Sequence, residues 1–198
     1  HLVDPYAKGD NAPNLKGQTC GNSMVPALAN ALVAAYNIPV GIIPAAMGGS
    51  NLLTSSGGYP HWLNRNAENI YDRSTLYGNS LYRAHEAGGI ELIVMNQGEN
   101  NVSTSTTQED YLNGMKRLLA SYRKDLKNSS LPLFYCQLGP AKPGSWTAEA
   151  KDDVMDGIRA AQLLANDPAD GLILAAIEMD LARNSDNLHY MTDSQKII

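Results

Sequence analysis

The residues best suited to chemistry fall in three short clusters. Near the end of the chain, Asp186 stands three residues before His189. On a turn, such a carboxylate accepts the Nδ1 proton of the imidazole and leaves Nε2 free as a general base. Pairs of this spacing also arise by chance on surfaces, because geometry and not spacing defines the role. A second cluster, Asn96-Gln97-Gly98-Glu99-Asn100-Asn101, follows an apolar run. A side-chain amide held rigidly there donates a hydrogen bond without carrying charge, as an oxyanion hole requires, although a solvated loop has the same composition. The third is Met47-Gly48-Gly49-Ser50, where paired glycines turn the backbone sharply and expose amide N–H groups. An ordinary turn uses such a pair too, and a phosphate cradle would need the GxxxxGK[ST] pattern that is absent here. The histidines His1, His61, His85 and His189 are dispersed, with no HExxH or comparable ligand cluster, so no metal centre is expected.

The elements that must position these clusters are legible as apolar runs. Ile38 to Ala46, Ile90 to Asn96, Leu131 to Leu138 and Gly171 to Ile177 are continuous rather than alternating. That pattern predicts strands of a parallel sheet covered by helices on both faces. Helices are predicted at Val25 to Tyr36, ending before Pro39, and at Ser80 to Ala87, ending at Gly88-Gly89. Another follows Thr107, which forms a capping box with Asp110, and carries Leu112, Met115, Leu118/Leu119, Tyr122 and Leu126 at helical spacing. A last one spans Ala148 to Ala165 with Pro168 beyond its end. In open parallel sheets the ligand crevice lies outside the carboxyl ends of the strands, and each of the three clusters follows such a run. The long irregular stretch Gly48 to Tyr77 carries His61 and Trp62. These and Trp146 are candidates for sugar contact, or equally packing anchors.

Composition narrows the class. With 198 residues, 43% apolar and 7% aromatic, the chain has room for one packed domain. No apolar run approaches the roughly 20 residues of a membrane helix. A net charge of −5 without a basic run offers nothing to a phosphate backbone, so no nucleic acid partner is expected. Charged residues make up only 18%, below the usual quarter or so, and the Asn-rich uncharged surface suits sugars and a secreted, extracellular setting. Cys20 and Cys136 lack zinc-site spacing and are read as free thiols rather than a disulfide scaffold. Asn101-Val102-Ser103 and Asn128-Ser129-Ser130 match a glycosylation pattern too short to decide anything.

Taken together, the string Ile38 to Ser50, the string Ala87 to Asn100 and the string Asp186 to Tyr190 resemble the SGNH hydrolases, and within them the carbohydrate acetylesterases related to sialate O-acetylesterase. That family runs in the order GQSN, GG[ST], QGE, DxxH, and the last three blocks occur here in order, over about Gly21 to Tyr190. The resemblance implies a three-layer α/β/α sandwich with a flavodoxin-like sheet, and hydrolysis of acetyl esters on a carbohydrate without metal or organic cofactor. It implies His189 as general base, Asp186 as its orienting carboxylate, Gly48 or Gly49 N–H and the Gln97 side chain in the oxyanion hole, and Glu99 and Asn100 as supports.

The serine block is missing. Gly21-Asn22-Ser23-Met24 aligns with the turn that opens the first helix, with no apolar strand before it, so Ser23 is read as structural. In the implied strand order 2-1-3-4-5 the serine strand lies between the runs at Ile38 and Ile90, and its loss opens the centre of the sheet. About five buried apolar side chains at roughly 2 kcal/mol each make the deficit on the order of 10 kcal/mol. The chain is therefore expected not to fold alone, with the missing strand supplied by upstream residues or by another chain. The competing expectation is a catalytically inactive carbohydrate-binding or structural module of a larger assembly.

Overall fold

The computed structural model describes residues 24–140, 149–185 and 187–195. Cys20, Ser23, Trp146 and Asp186 lie outside them. The element order is α1 (Val25–Tyr36), α2 (Leu76–Glu86), β1 (Ile93–Met95), α3 (Gln108–Asp125), β2 (Leu133–Gln137), α4 (Glu149–Leu164), β3 (Leu172–Ile177) and the short α5 (Thr192–Gln195). The three strands form a parallel sheet in the order β1-β2-β3.

Local chemistry explains where the helices start and stop. α1 carries a proline in its first turn and ends at Asn37, whose left-handed backbone returns its N–H to Val33 O, before Pro39 forbids continuation. The Thr75 side chain caps α2 by accepting from Gly78 N at 2.9 Å. Thr107 caps α3 through Asp110 N at 3.1 Å, with Glu109 and Asp110 in the first turn and Arg123 and Lys124 in the last, as the helix dipole favours.

Register separates the two faces of the sheet. Ile93, Leu133 and Leu172 are aligned, as are Met95, Tyr135 and Leu174. All six belong to or pack on the core with Tyr111, Met115, Leu118 and Leu119 of α3 and Ile158 and Ala161 of α4. The opposite row is Val94, Phe134 and Ile173, and Val94 is 38% exposed. A bulge between Tyr135 and Cys136 pairs Cys136 with Ala176. The extra residue in β3 reverses the alternation beyond it, which places Glu178 on the same face as Cys136.

One expected strand is not formed. Ile38 to Ala46 forms no regular element and pairs with no strand among the described residues, and Ile38 is 56% exposed. A strand exists only with a partner for its backbone N–H and C=O groups. α1 accordingly buries none of its residues. The helical layer of α3 and α4 is thus well packed, whereas α1 makes no second packed layer among the described residues.

Candidate active site

The two loops that follow the Ile38 run and β1 are bonded to each other. Asn100 Nδ2 donates to Gly49 O, and Gln97 Nε2 donates to Ser50 O at 3.1 Å and to Asn101 Oδ1 at 2.8 Å. Asn101 Oδ1 also accepts from Leu52 N at 3.1 Å. From below, Tyr111 OH of α3 donates to Gln97 O at 2.6 Å and Gln162 Nε2 of α4 reaches the same oxygen at 3.1 Å. The helices thereby hold the loop by its backbone.

Gly98 and Gly49 are glycine for separate reasons. Gly98 has φ 147°, and a Cβ there would meet Leu138 Cδ1 at 2.8 Å and Tyr111 OH at 3.0 Å. Gly49 has φ 75° and lies under the Tyr59 ring, where a Cβ would come within 2.7 Å of two ring carbons. Neither the Gly48 N–H nor the Gly49 N–H donates to a described residue. Both amides therefore remain available to a ligand.

Both hydrogens of the Gln97 side-chain amide are engaged within the protein, on Ser50 O and Asn101 Oδ1, so in this structure the side chain straps the two loops together. The backbone amides of Gly48 and Gly49 are the donors left open. Trp62 packs against the core and donates its indole N–H to Ser50 Oγ at 3.2 Å. His61 Nδ1 is hydrogen-bonded to Ser55 Oγ at 2.9 Å, and burial lowers the imidazole pKa. Glu99 and Asn100 sit half-buried on the 3-10 turn Glu99–Thr104. Asn101 is fully buried, so its glycosylation pattern is inaccessible in the folded chain.

His189 is exposed on a turn closed by the Arg183–Tyr190 bridge. Asn184 N donates to His189 O at 2.8 Å, and Met191 N to Ala182 O at 3.0 Å. Arg183 stacks its guanidinium over the Tyr190 ring at 4.0 Å, donates to Tyr190 OH at 2.6 Å and donates to Leu188 O. The turn is thus clamped on either side of the imidazole.

Glu178 was missed by the sequence reading. It is fully buried just past β3, and burial raises its carboxyl above the ordinary range, with hydrogen bonding from Tyr190 opposing. Tyr190 OH donates to its Oε2 and Asn96 Nδ2 to its Oε1 at 2.6 Å. Burial first and the nearby Glu178 carboxyl second push the buried Cys136 thiol up to about 12. The available signal was position: a charged residue directly after an apolar strand, at the same end of the sheet as Asn96 and Gln97.

A family model described as carbohydrate esterase, sialic acid-specific acetylesterase, matches residues 4–198. A probable carbohydrate esterase of Arabidopsis thaliana is 29% identical over 189 residues, which are 90% of this chain and 61% of that protein. The chain thus spans about three fifths of that relative's length. An X-ray structure of an Arabidopsis thaliana protein superposes with TM-score 0.67 at 26% identity, covering 91% of this chain and 66% of that one. The crystal structure of a carbohydrate acetylesterase from Xanthomonas citri does so with TM-score 0.63 at 18% identity, over 88% and 38% of the respective chains, a likeness of fold. With the glycine loop and the Gln97 loop joined at the carboxyl end of a parallel sheet, and a family match over nearly its whole length, the chain belongs to the sialic acid-specific acetylesterase family of carbohydrate esterases.

Proposed function

We propose that this chain forms the larger part of a serine-type esterase that removes acetyl groups from a carbohydrate. The observation that carries the reading is the pair of open backbone amides at Gly48 and Gly49, held in place by Asn100 and Gln97 at the sheet's carboxyl edge. In this reading His189 is the general base and Asp186 its orienting carboxylate. A serine hydroxyl attacks the acetyl carbonyl carbon as its proton passes to His189, and the oxyanion rests on Gly48 or Gly49 N–H. The bond to the sugar oxygen then breaks, with His189 returning the proton to the departing hydroxyl. Water hydrolyses the acetyl-serine by the same proton route and releases acetate. The family match and the relatives named as carbohydrate esterases support this chemistry.

The serine in this proposal arrives on a strand that lies beside β1, from upstream residues or another chain. Three features support such a neighbour: among the described residues β1 has a free outer edge, the run from Ile38 to Ala46 pairs with no strand, and the buried Asn51 side-chain amide has no hydrogen-bond partner. The absence of a GxSN block from the sequence is what the alternative, an inactive carbohydrate-binding module, would predict.

Substrate class is tested by chain length. The 48–77 segment offers Ser, Thr, Asn and Gly to sugar hydroxyls but no continuous apolar wall, and each methylene that stays unburied forgoes roughly 0.8 kcal/mol. In the intact protein kcat/KM is expected to be higher for acetyl than for octanoyl esters, and higher for O-acetylated sugars than for aryl acetates. A clear preference for the octanoyl ester would reject carbohydrate as the substrate class.

A further inference from the structure

We infer that Glu178 is a positioning residue which ties the turn carrying His189 to the loop carrying Gln97. The inference rests on the reading of His189 as the base. Its two carboxylate oxygens are divided between the two halves of the site: Oε1 accepts from Asn96, the residue before Gln97, and Oε2 accepts from Tyr190, the residue after His189. The backbone of Glu178 is itself fixed, its N–H donating to Gln137 O at 3.0 Å. Tyr190 OH is fixed in turn, accepting from Gly139 N at 3.1 Å and from Arg183 at 2.6 Å.

Both hydrogen bonds to the carboxylate are donations, from the Asn96 amide of the β1 loop to Oε1 and from the Tyr190 phenol of the turn to Oε2. The Arg183 guanidinium of the turn, the buried Cys136 thiol of β2 and, with opposing charge effect, the acidic Glu99 also face it among the described residues. A buried carboxylate between two such donors accepts from both. An amide cannot, since its NH₂ must face one of the donors. Glu178→Gln therefore keeps the shape and breaks one side of the link, and Tyr190→Phe breaks the other.

The role differs from plain stabilisation because displacement, not unfolding, is the harm. A misplacement of about 1 Å at a catalytic group costs as much as roughly 100-fold in rate. The experiment is a cycle in the intact protein, using an aryl acetate and an O-acetylated sugar. Folded Glu178→Gln and Tyr190→Phe variants are expected to lower kcat by about 10- to 100-fold with KM little changed. Glu178→Gln added to His189→Ala is expected to cost nothing further. Wild-type kcat in both single variants, alongside an inactive His189→Ala, would overturn this inference and leave the proposed function standing. An equal loss in both backgrounds would also overturn it, as the mark of a general structural role. Wild-type rates for His189→Ala itself would instead remove the base, and this inference with it.

Discussion

Gln97 illustrates how one side chain changes meaning between sequence and structure. Its residue type suits an oxyanion hole, yet its Nε2 is spent on Ser50 O and Asn101 Oδ1, both acceptors. Gln97→Glu would replace that donor by an oxygen facing two oxygens. Leaving a buried acceptor such as Ser50 O without its donor costs about 2 kcal/mol, so a lower denaturation midpoint and weaker esterase activity are expected together. Wild-type stability in Gln97→Glu would show that the strap is not needed. Glu178 is the reverse case, because its type gave no hint of a role: a glutamate is usually solvated, and only burial among donors reveals what it does.

At the scale of elements, the long connection ahead of α2 is anchored rather than loose. Arg65 forks onto Asp125, the last residue of α3, at 2.6 and 2.7 Å, and Tyr77 OH joins at 2.8 Å. The Asp125 side chain is only 4% exposed. Hydrogen bonds from Arg65, then from Tyr77, hold its carboxyl below the ordinary value of 3.8 against the opposing effect of burial. A depressed folded pKa contributes stability that is present above the unfolded value and lost as pH falls through the folded one. The chain should therefore lose this contribution on acidification below about pH 4, whereas Asp125→Asn should lack that acid-dependent step. Asp125→Ala, which removes the acceptor of the Arg65 and Tyr77 hydrogen bonds while Arg65 stays part-exposed, should cost about 2 kcal/mol at pH 7. Denaturation curves from pH 3 to 7 check both, and parallel curves for wild type and Asp125→Asn would contradict the assignment.

The helices were legible because their signals are local. α1 spans Val25–Tyr36, as its apolar run ahead of Pro39 predicts, and the Thr107 capping box starts α3. β1, β2 and β3 each fall inside the apolar runs that announce them. The run from Ile38 to Ala46 carries the same apolar signal but forms no strand, since pairing depends on a distant neighbour that composition cannot supply. α2 begins at Leu76, ahead of the expected Ser80, because Thr75 caps it there. Of the site, the glycine pair, the Gln97 loop and the His189 turn were visible as clusters. Their connection through Asn100, Gln97 and Glu178 was not, because it depends on contacts between loops far apart in sequence.

For the whole molecule, the glycine loop follows the unpaired 38–46 run, the Gln97 loop follows β1 and the His189 turn lies beyond β3, and the proposed function requires all three to act on one ester. The central claim is that the intact protein releases acetate from an O-acetylated carbohydrate with His189 as the base. The most direct measurement is acetate release from an O-acetylated sugar by the intact protein and by its folded His189→Ala variant. The account predicts turnover by the former and a rate about 10²- to 10⁴-fold lower in the latter, the usual worth of a positioned general base. Equal rates in the two proteins would contradict it.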